Sequence, residues 1–170
     1  LDILIDKKNF QRKIGNIKIP KTVIYEGSTK VVEEIDFYPV VVKVSSRDTK
    51  NSFVIEHGKF KIFFQRTALE SFLDKISTSY GSLVIQQFIK KKEANEFSWV
   101  GYVSKNGDLT GLTVRKTRQI PVGNQTTFAE MVKNVDLEPQ ARMITSEVDF
   151  WGICEVEFLF DSETKDFYFI

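Results

Sequence analysis

Trp151-Gly152-Ile153-Cys154-Glu155-Val156-Glu157-Phe158-Leu159-Phe160 puts apolar residues at Cys154, Val156, Phe158 and Phe160, every second position. A period of two is that of a strand, whose side chains alternate between faces. The opposite face then carries Glu155, Glu157 and Leu159, so two carboxylates project the same way from one rigid element. Residues 161–166 form a polar turn and residues 167–170 a returning strand. Alone, this is an ordinary hairpin with a solvated acidic face; the upstream sequence supports a functional reading. The chain also stops inside an apolar strand, where a frayed polar tail is usual, so we expect a fragment cut close to its chemistry.

Working outward, 170 residues suit one domain or two small lobes, and 42% hydrophobic content can fill a core. Lys and Arg total 24 against 23 Asp and Glu, which argues against bulk attraction to nucleic acid or anionic lipid. One cysteine excludes an internal disulfide and fits a reducing compartment. One histidine and one cysteine cannot by themselves build a zinc site or a Cys–His nucleophile pair. The sequence lacks an apolar run of ~18–20 residues and a signal-peptide pattern. The expectation is a soluble, cytoplasmic domain.

Asp6 can cap a helix over residues 7–14, and Pro20 keeps residues 17–25 extended. Residues 37–44, Phe-Tyr-Pro-Val-Val-Val-Lys-Val, read as a strand buried on both faces. Lys43 lies inside it, and an ammonium buried without a partner is costly. Either its stem snorkels to an edge or the site expects an anion. Residues 53–64 read as a hairpin turning at His57-Gly58. Thr67-Ala68-Leu69-Glu70 is a capping box heading a helix with Leu69, Phe72, Leu73 and Ile76 on one face.

Residues 83–89 read as an interior strand, and residues 96–103 and 109–114 as a hairpin about Asn106-Gly107. Arg115, Lys116, Thr117 and Arg118 gather donors at that strand's end. Thr127-Phe128-Ala129-Glu130 reads as a second capping box, starting a helix with Phe128, Met131, Val132 and Val135 on one face. Pro139 suits the first turn of another helix.

Taken in order, several runs resemble the ATP-grasp superfamily, in particular carboxylate–amine ligases such as D-aspartate ligase-like and carbamoyl phosphate synthase-like proteins. They are Asp6-Lys7, Ile19-Pro20-Lys21-Thr22, Tyr38-Pro39 through Lys43, Val84-Ile85-Gln86-Gln87-Phe88-Ile89, the Arg115 region, and Gly152 through Glu157 to Asp161. The resemblance spans nearly the whole chain and implies two small α+β lobes, with mainly antiparallel sheets, enclosing a nucleotide cleft. It divides the chain into an entry segment (1–19), a nucleotide-gripping lobe (20–90) and a metal and phosphate lobe (91–170).

The resemblance implies ATP and Mg2+ as cofactors. Lys43 would contact nucleotide phosphates, which resolves the buried ammonium. Lys7, with Lys8 as the alternative, would be a second nucleotide lysine. Gln86, Gln87, Phe88 and Ile89 match the hinge, with backbone groups of Phe88 and Ile89 facing adenine; Gln87 stands where an acidic residue is common. Glu93 or Glu96 would hold the ribose, Glu96 being the better fixed. Arg115 would steady phosphate and acyl-phosphate oxygens, and Arg118 a substrate carboxylate. Glu157 would be the first magnesium carboxylate, with Glu155 bordering the site.

Residues 45–52 lack the glycines of many relatives' flaps. The second metal carboxylate and its Asn, in a Glu-x-Asn run, would begin after Ile170, and the usual N-terminal domain is absent. The implied activity is an ATP-dependent ligase joining a small carboxylate to an amine or thiol through an acyl phosphate, inactive as this fragment. The alternative is a non-catalytic ATP-binding regulatory or scaffold module, and the blandest reading an unrelated α+β interaction domain. Neither nucleic acid nor membrane is implied as a partner, and a homodimer is compatible with the resemblance.

Overall fold

The computed structural model describes residues 9–10, 13–14, 17–45, 52–58, 60–76, 80–90, 95–120 and 126–170. The chain divides into two compact units. The first takes in Leu1–Arg12 and Pro20–Phe88, the second Lys13–Ile19 and Ile89–Ile170.

In the first unit, β1 (Thr22–Tyr25), β2 (Val40–Val44), β3 (Lys61–Phe63) and β4 (Leu83–Gln87) form an antiparallel sheet in the order β1-β4-β2-β3. The interior position expected for residues 83–89 is met, since β4 has a neighbour on each side. A short 3-10 helix (Thr29–Glu34) and two α-helices, α1 (Ser52–His57) and α2 (Arg66–Leu73), complete the unit. Tyr25, Val40, Val42, Val44, Phe53, Leu69, Leu83 and Ile85 meet in one core.

Two expectations for this unit are corrected. β2 is buried on one face only: Val40, Val42 and Val44 are buried, while Val41 and Lys43 are half-buried. A β-branched run reports a strand but not how many faces are covered. The hairpin expected over residues 53–64 is instead α1 followed by β3. Phe53 is fully buried and edge-on to Phe72 and Tyr80, with ring centroids 6.3 and 5.7 Å away. His57 is not merely a turn residue: its ring lies 5.1 Å from Phe53 and 5.3 Å from Phe72. A short apolar run is locally ambiguous, and this aromatic packing decides it.

The helix headed by the first capping box is present, but the box is not. α2 starts one residue before Thr67, with Gln65 as N-cap and no side-chain cap bond. Glu70 instead accepts from Arg66 Nε at 2.8 Å, one turn back.

The second unit is a five-stranded antiparallel sheet, β7-β6-β5-β8-β9, built from β5 (Glu96–Val103), β6 (Leu109–Gln119), β7 (Thr126–Met131), β8 (Gly152–Asp161) and β9 (Asp166–Phe169). The Asn106-Gly107 turn closes as expected, with Ser104 N donating to Asp108 O at 2.8 Å and Gly107 at φ +84. The terminal hairpin also forms, with Lys165 N donating to Asp161 O at 2.8 Å. Helix α3 (Glu138–Glu147), with proline in its first turn, buries Ala141 and Ile144. Its N-cap Leu137 donates its N–H to Thr113 Oγ1 on β6 at 3.3 Å.

That contact fixes the core face of the sheet, which also carries Phe97, Trp99, Val103, Val156 and Phe158. Gly101 and Gly111 oppose each other there beneath the Trp99 ring. A Cβ on Gly111 would stand 2.5 Å from Trp99 Cζ2, and one on Gly101 2.6 Å from Cη2. Only glycine lets the indole lie against the sheet.

The second capping box is also corrected: residues 126–131 are the edge strand β7. As a helix, the stripe of Phe128 and Met131 would need a core to face, yet both are more than half exposed. Pairing with β6 supplies ladder hydrogen bonds to β-favouring residues instead. In the described part of the first expected helix, Asn9, Phe10 and Lys13 are helical. No helix among the described residues is long and apolar enough to cross a membrane.

Candidate functional site

Each unit presents a lysine on the sheet face opposite its core. In the first, Lys43 Nζ donates to Gln86 Oε1 at 2.9 Å. Gln86 Nε2 donates to Thr22 Oγ1 at 2.9 Å, and Thr22 Oγ1 to Pro20 O at 2.7 Å. A polar relay across three strands therefore fixes the rotamer of Gln86 and presents its carbonyl oxygen to the lysine. This contact between Lys43 and Gln86 is not expected from the sequence, which assigns the two to separate roles.

At the end of β4, the Gln87 N–H donates to Lys21 O at 2.7 Å and the Phe88 N–H to Pro39 O at 2.9 Å. These two amides hold the strand's exit. An adenine edge facing Phe88 would therefore meet its carbonyl rather than its N–H. Ile89 is buried as the second unit begins. Lys7 and the loop at 46–51 lie outside the described residues.

In the second unit, the face away from α3 is set by register. Glu96 opposes Lys116 and Leu159, Ser98 opposes Val114 and Glu157, and Val100 opposes Leu112 and Glu155. Side chains at alternate positions share a face, so Glu96, Ser98, Lys116, Glu155 and Glu157 all lie on one side. Lys116 Nζ contacts Glu157 Oε1 in a short ion pair, Glu155 Oε1 at 2.9 Å and Glu96 Oε1 at 3.8 Å. Ser98 Oγ donates to Glu155 Oε1 at 2.7 Å. Lys116 is 7% exposed, whereas the carboxylate side chains of Glu155 and Glu157 are 48% and 43% exposed.

Electrostatics follow from this packing. Burial pushes the Lys116 ammonium down, but hydrogen bonds to Glu157 and Glu155 outweigh it and hold the pKa above the ordinary lysine value. Burial pushes Glu155 up, while hydrogen bonds from Lys116 and Ser98 more than reverse that, leaving it below the ordinary carboxylate value.

The sequence reading singled out Arg115 and passed over Lys116. Consecutive strand residues point to opposite faces, so these two separate. Arg115 opposes Phe97 and pairs with Glu130, Nε to Oε1 at 3.0 Å, on the α3 side of the sheet. Lys116 shares the face of Glu157. Arg118 is exposed beyond an irregularity in the β6–β7 pairing and donates to Thr127 Oγ1 at 3.3 Å. The structure therefore gathers Glu96, Glu155 and Glu157 about Lys116 and does not bring Arg115 or Arg118 to them. Counting from Glu96 and Glu157 along their strands would have found Lys116, but that needs the β5–β6 register.

The donor set suits magnesium, because two half-exposed carboxylates already converge on one cation, the Lys116 ammonium. Magnesium binds one or two carboxylates and completes its shell with phosphate and water oxygens. No group of three or more His, Cys, Asp or Glu able to hold a metal occurs among the described residues. The protein's share would accordingly be small.

No family model matches the chain. No curated protein matches it either. Solved structures do. An N5-carboxyaminoimidazole synthetase from Staphylococcus aureus superimposes with a TM-score of 0.71 at 17% identity, over 99% of this chain and 43% of that one. A D-alanyl-alanine synthetase A from Vibrio cholerae gives 0.69 at 9% identity, over 98% and 54%. A D-Ala:D-Ser ligase from Enterococcus faecalis gives 0.65 at 12% identity, over 98% and 51%. The chain spans about half the length of these structures. Two mainly antiparallel sheets with few helices, matched along essentially the whole chain, are the architecture of these ATP-grasp enzymes. The chain has the ATP-grasp fold.

Proposed function

We propose that this chain is the nucleotide-binding part of an ATP-dependent ligase that joins a small carboxylate to an amine or thiol through an acyl phosphate. The observation that carries the reading is the convergence of the half-exposed Glu155 and Glu157 on one cation, on the sheet face opposite the core of an ATP-grasp fold. Among the structural neighbours, a D-alanine–D-alanine ligase from Bacillus anthracis is complexed with ATP and an N5-carboxyaminoimidazole synthetase from Staphylococcus aureus with ADP.

In the first unit, Lys43 is the phosphate-binding cation, oriented by Gln86 and Thr22. In the second, Glu157, with Glu155 beside it, would hold magnesium, and Glu96 would face the ribose. Magnesium when bound supplies charge stabilisation to the transferred phosphoryl oxygens. A substrate carboxylate oxygen attacks the γ-phosphorus, the bond from that phosphorus to the β–γ bridging oxygen breaks, and ADP leaves. The amine or thiol then attacks the acyl carbon, inorganic phosphate departs, and the nucleophile's proton passes to solvent. Positioning and electrostatics dominate such chemistry, consistent with a chain that offers no histidine base among these residues.

Calorimetric titration with ATP, with and without magnesium, tests this on the 170-residue chain and its Lys43→Ala and Glu157→Gln variants. Lys43→Ala should weaken ATP binding in both conditions, and Glu157→Gln should remove only the magnesium-dependent part. Unchanged binding in both variants would overturn the reading. A second reading, an ATP-binding module without ligase activity, draws on Gln87 standing where an acidic residue is common. It predicts the same titrations but no ADP release with any carboxylate and amine from the protein extended past Ile170.

A further inference from the structure

Building on the magnesium–nucleotide reading above, we propose that Lys116 is a built-in counter-cation that competes with a divalent metal for Glu157 and Glu155. Its ammonium holds one oxygen of each carboxylate, with Glu96 Oε1 at 3.8 Å. The register explains how it reaches them. Lys116 stands on β6 and the two carboxylates on β8, with β5 between. The residue beneath the crossing is Ser98, small enough to leave a path for the lysine stem, and its hydroxyl holds Glu155 from below. The lysine thus arrives from inside the face, nearly buried, while the outer surfaces of both carboxylates stay open.

Two cations cannot share the same carboxylate oxygens without repulsion that grows steeply at short distance. Metal binding to the nucleotide-free chain sets a second cation close to Lys116 and weakens its hold on Glu157, which is costly for an ammonium in a nearly buried position. A phosphate group gives that ammonium a new charged partner. The lysine therefore makes metal binding conditional on nucleotide. Before nucleotide arrives it holds the two carboxylates together and keeps divalent ions from settling on them.

Mn2+ binding to the 170-residue chain, measured by electron paramagnetic resonance with and without ATP, tests this on wild type, Lys116→Gln and Lys116→Arg. Without ATP, Lys116→Gln should bind Mn2+ about tenfold or more tightly than wild type, a typical size for such a coupling. Lys116→Arg, which retains the charge, should bind as weakly as wild type, and circular dichroism confirms that both variants fold. Adding Glu157→Gln to Lys116→Gln should abolish the gain. ATP should raise the Mn2+ affinity of wild type more than that of Lys116→Gln.

If wild type binds Mn2+ with ATP but Lys116→Gln gains nothing without it, the competition is overturned while the magnesium reading stands. A gain that survives Glu157→Gln lies elsewhere and also overturns it. If wild type binds no Mn2+ even with ATP, the magnesium reading itself fails, and this proposal with it.

Discussion

Lys43 and Lys116 each stand on the sheet face opposite their unit's core, yet the partners described for them differ in kind. Lys43 donates to a neutral amide oxygen that is itself braced by Thr22 and Pro20. Lys116 is packed among three carboxylates and is almost wholly buried. The Gln86 amide oxygen orients the Lys43 ammonium, which makes a further interaction besides this one. Carboxylate partners neutralise Lys116 and tie it to the fold. On the proposed reading, the same residue type would serve recognition in the first unit and local charge balance in the second.

The sharpest way to break this contrast is to remove each lysine and read binding and stability separately. Lys43→Ala should weaken ATP binding about 10–100-fold, as expected for one charge-assisted hydrogen bond, and cost only about 1 kcal/mol of stability. Calorimetry and urea denaturation measure the two. If stability falls far more than this, Lys43 is a structural residue and the contrast collapses.

Lys116→Leu should do the reverse, costing about 2 kcal/mol of stability by urea denaturation. That is below the ~3–5 kcal/mol typical of breaking a fully buried pair, because Glu155 and Glu157 stay about half exposed and water can take over. No loss of stability would mean that the carboxylates do not depend on their lysine.

Acidity sharpens the comparison further. Glu155 is held below its ordinary value of 4.5, so its contribution is present above that pH and lost as pH falls through the folded value. Lys116 is held above 10.5, so its contribution is present below that pH and lost as pH rises past the folded value. The melting temperature should therefore be flat between these limits and fall on both sides. In Lys116→Gln the acid-side fall should be shallower, read by tryptophan fluorescence across pH. An identical profile in the variant would detach Glu155 from Lys116.

The smallest effects are expected off these faces. Arg115→Ala, on the α3 side of the second sheet, should change ATP affinity by less than about threefold. A loss comparable with that of Lys43→Ala would restore Arg115 to the role the sequence suggested. Asp166→Asn breaks an exposed pair with Lys18 and should leave the melting temperature essentially unchanged in thermal melts, because solvent screens the pair.

The sequence by itself determined the elements with strong local signatures. The period-two run at 152–161, the Asn106-Gly107 turn, the proline-led helix and the β-branched run ending at Val44 all formed. Their order along the chain carried the fold resemblance, because strand period and turn chemistry are properties of neighbouring residues. Tertiary structure decided the rest. Residues 53–56 turned helical because Phe53 had an aromatic cluster to fill, and residues 126–131 became a strand because β6 offered an open edge.

The same reasoning separates Arg115 from Lys116. Both are cations on one strand, β6, and nothing local distinguishes them. Only the β5–β6–β8 register assigns one to the α3 side and the other to the carboxylates. A one-residue shift would exchange their faces, and register is set by pairing across the whole sheet, which no local stretch of sequence contains.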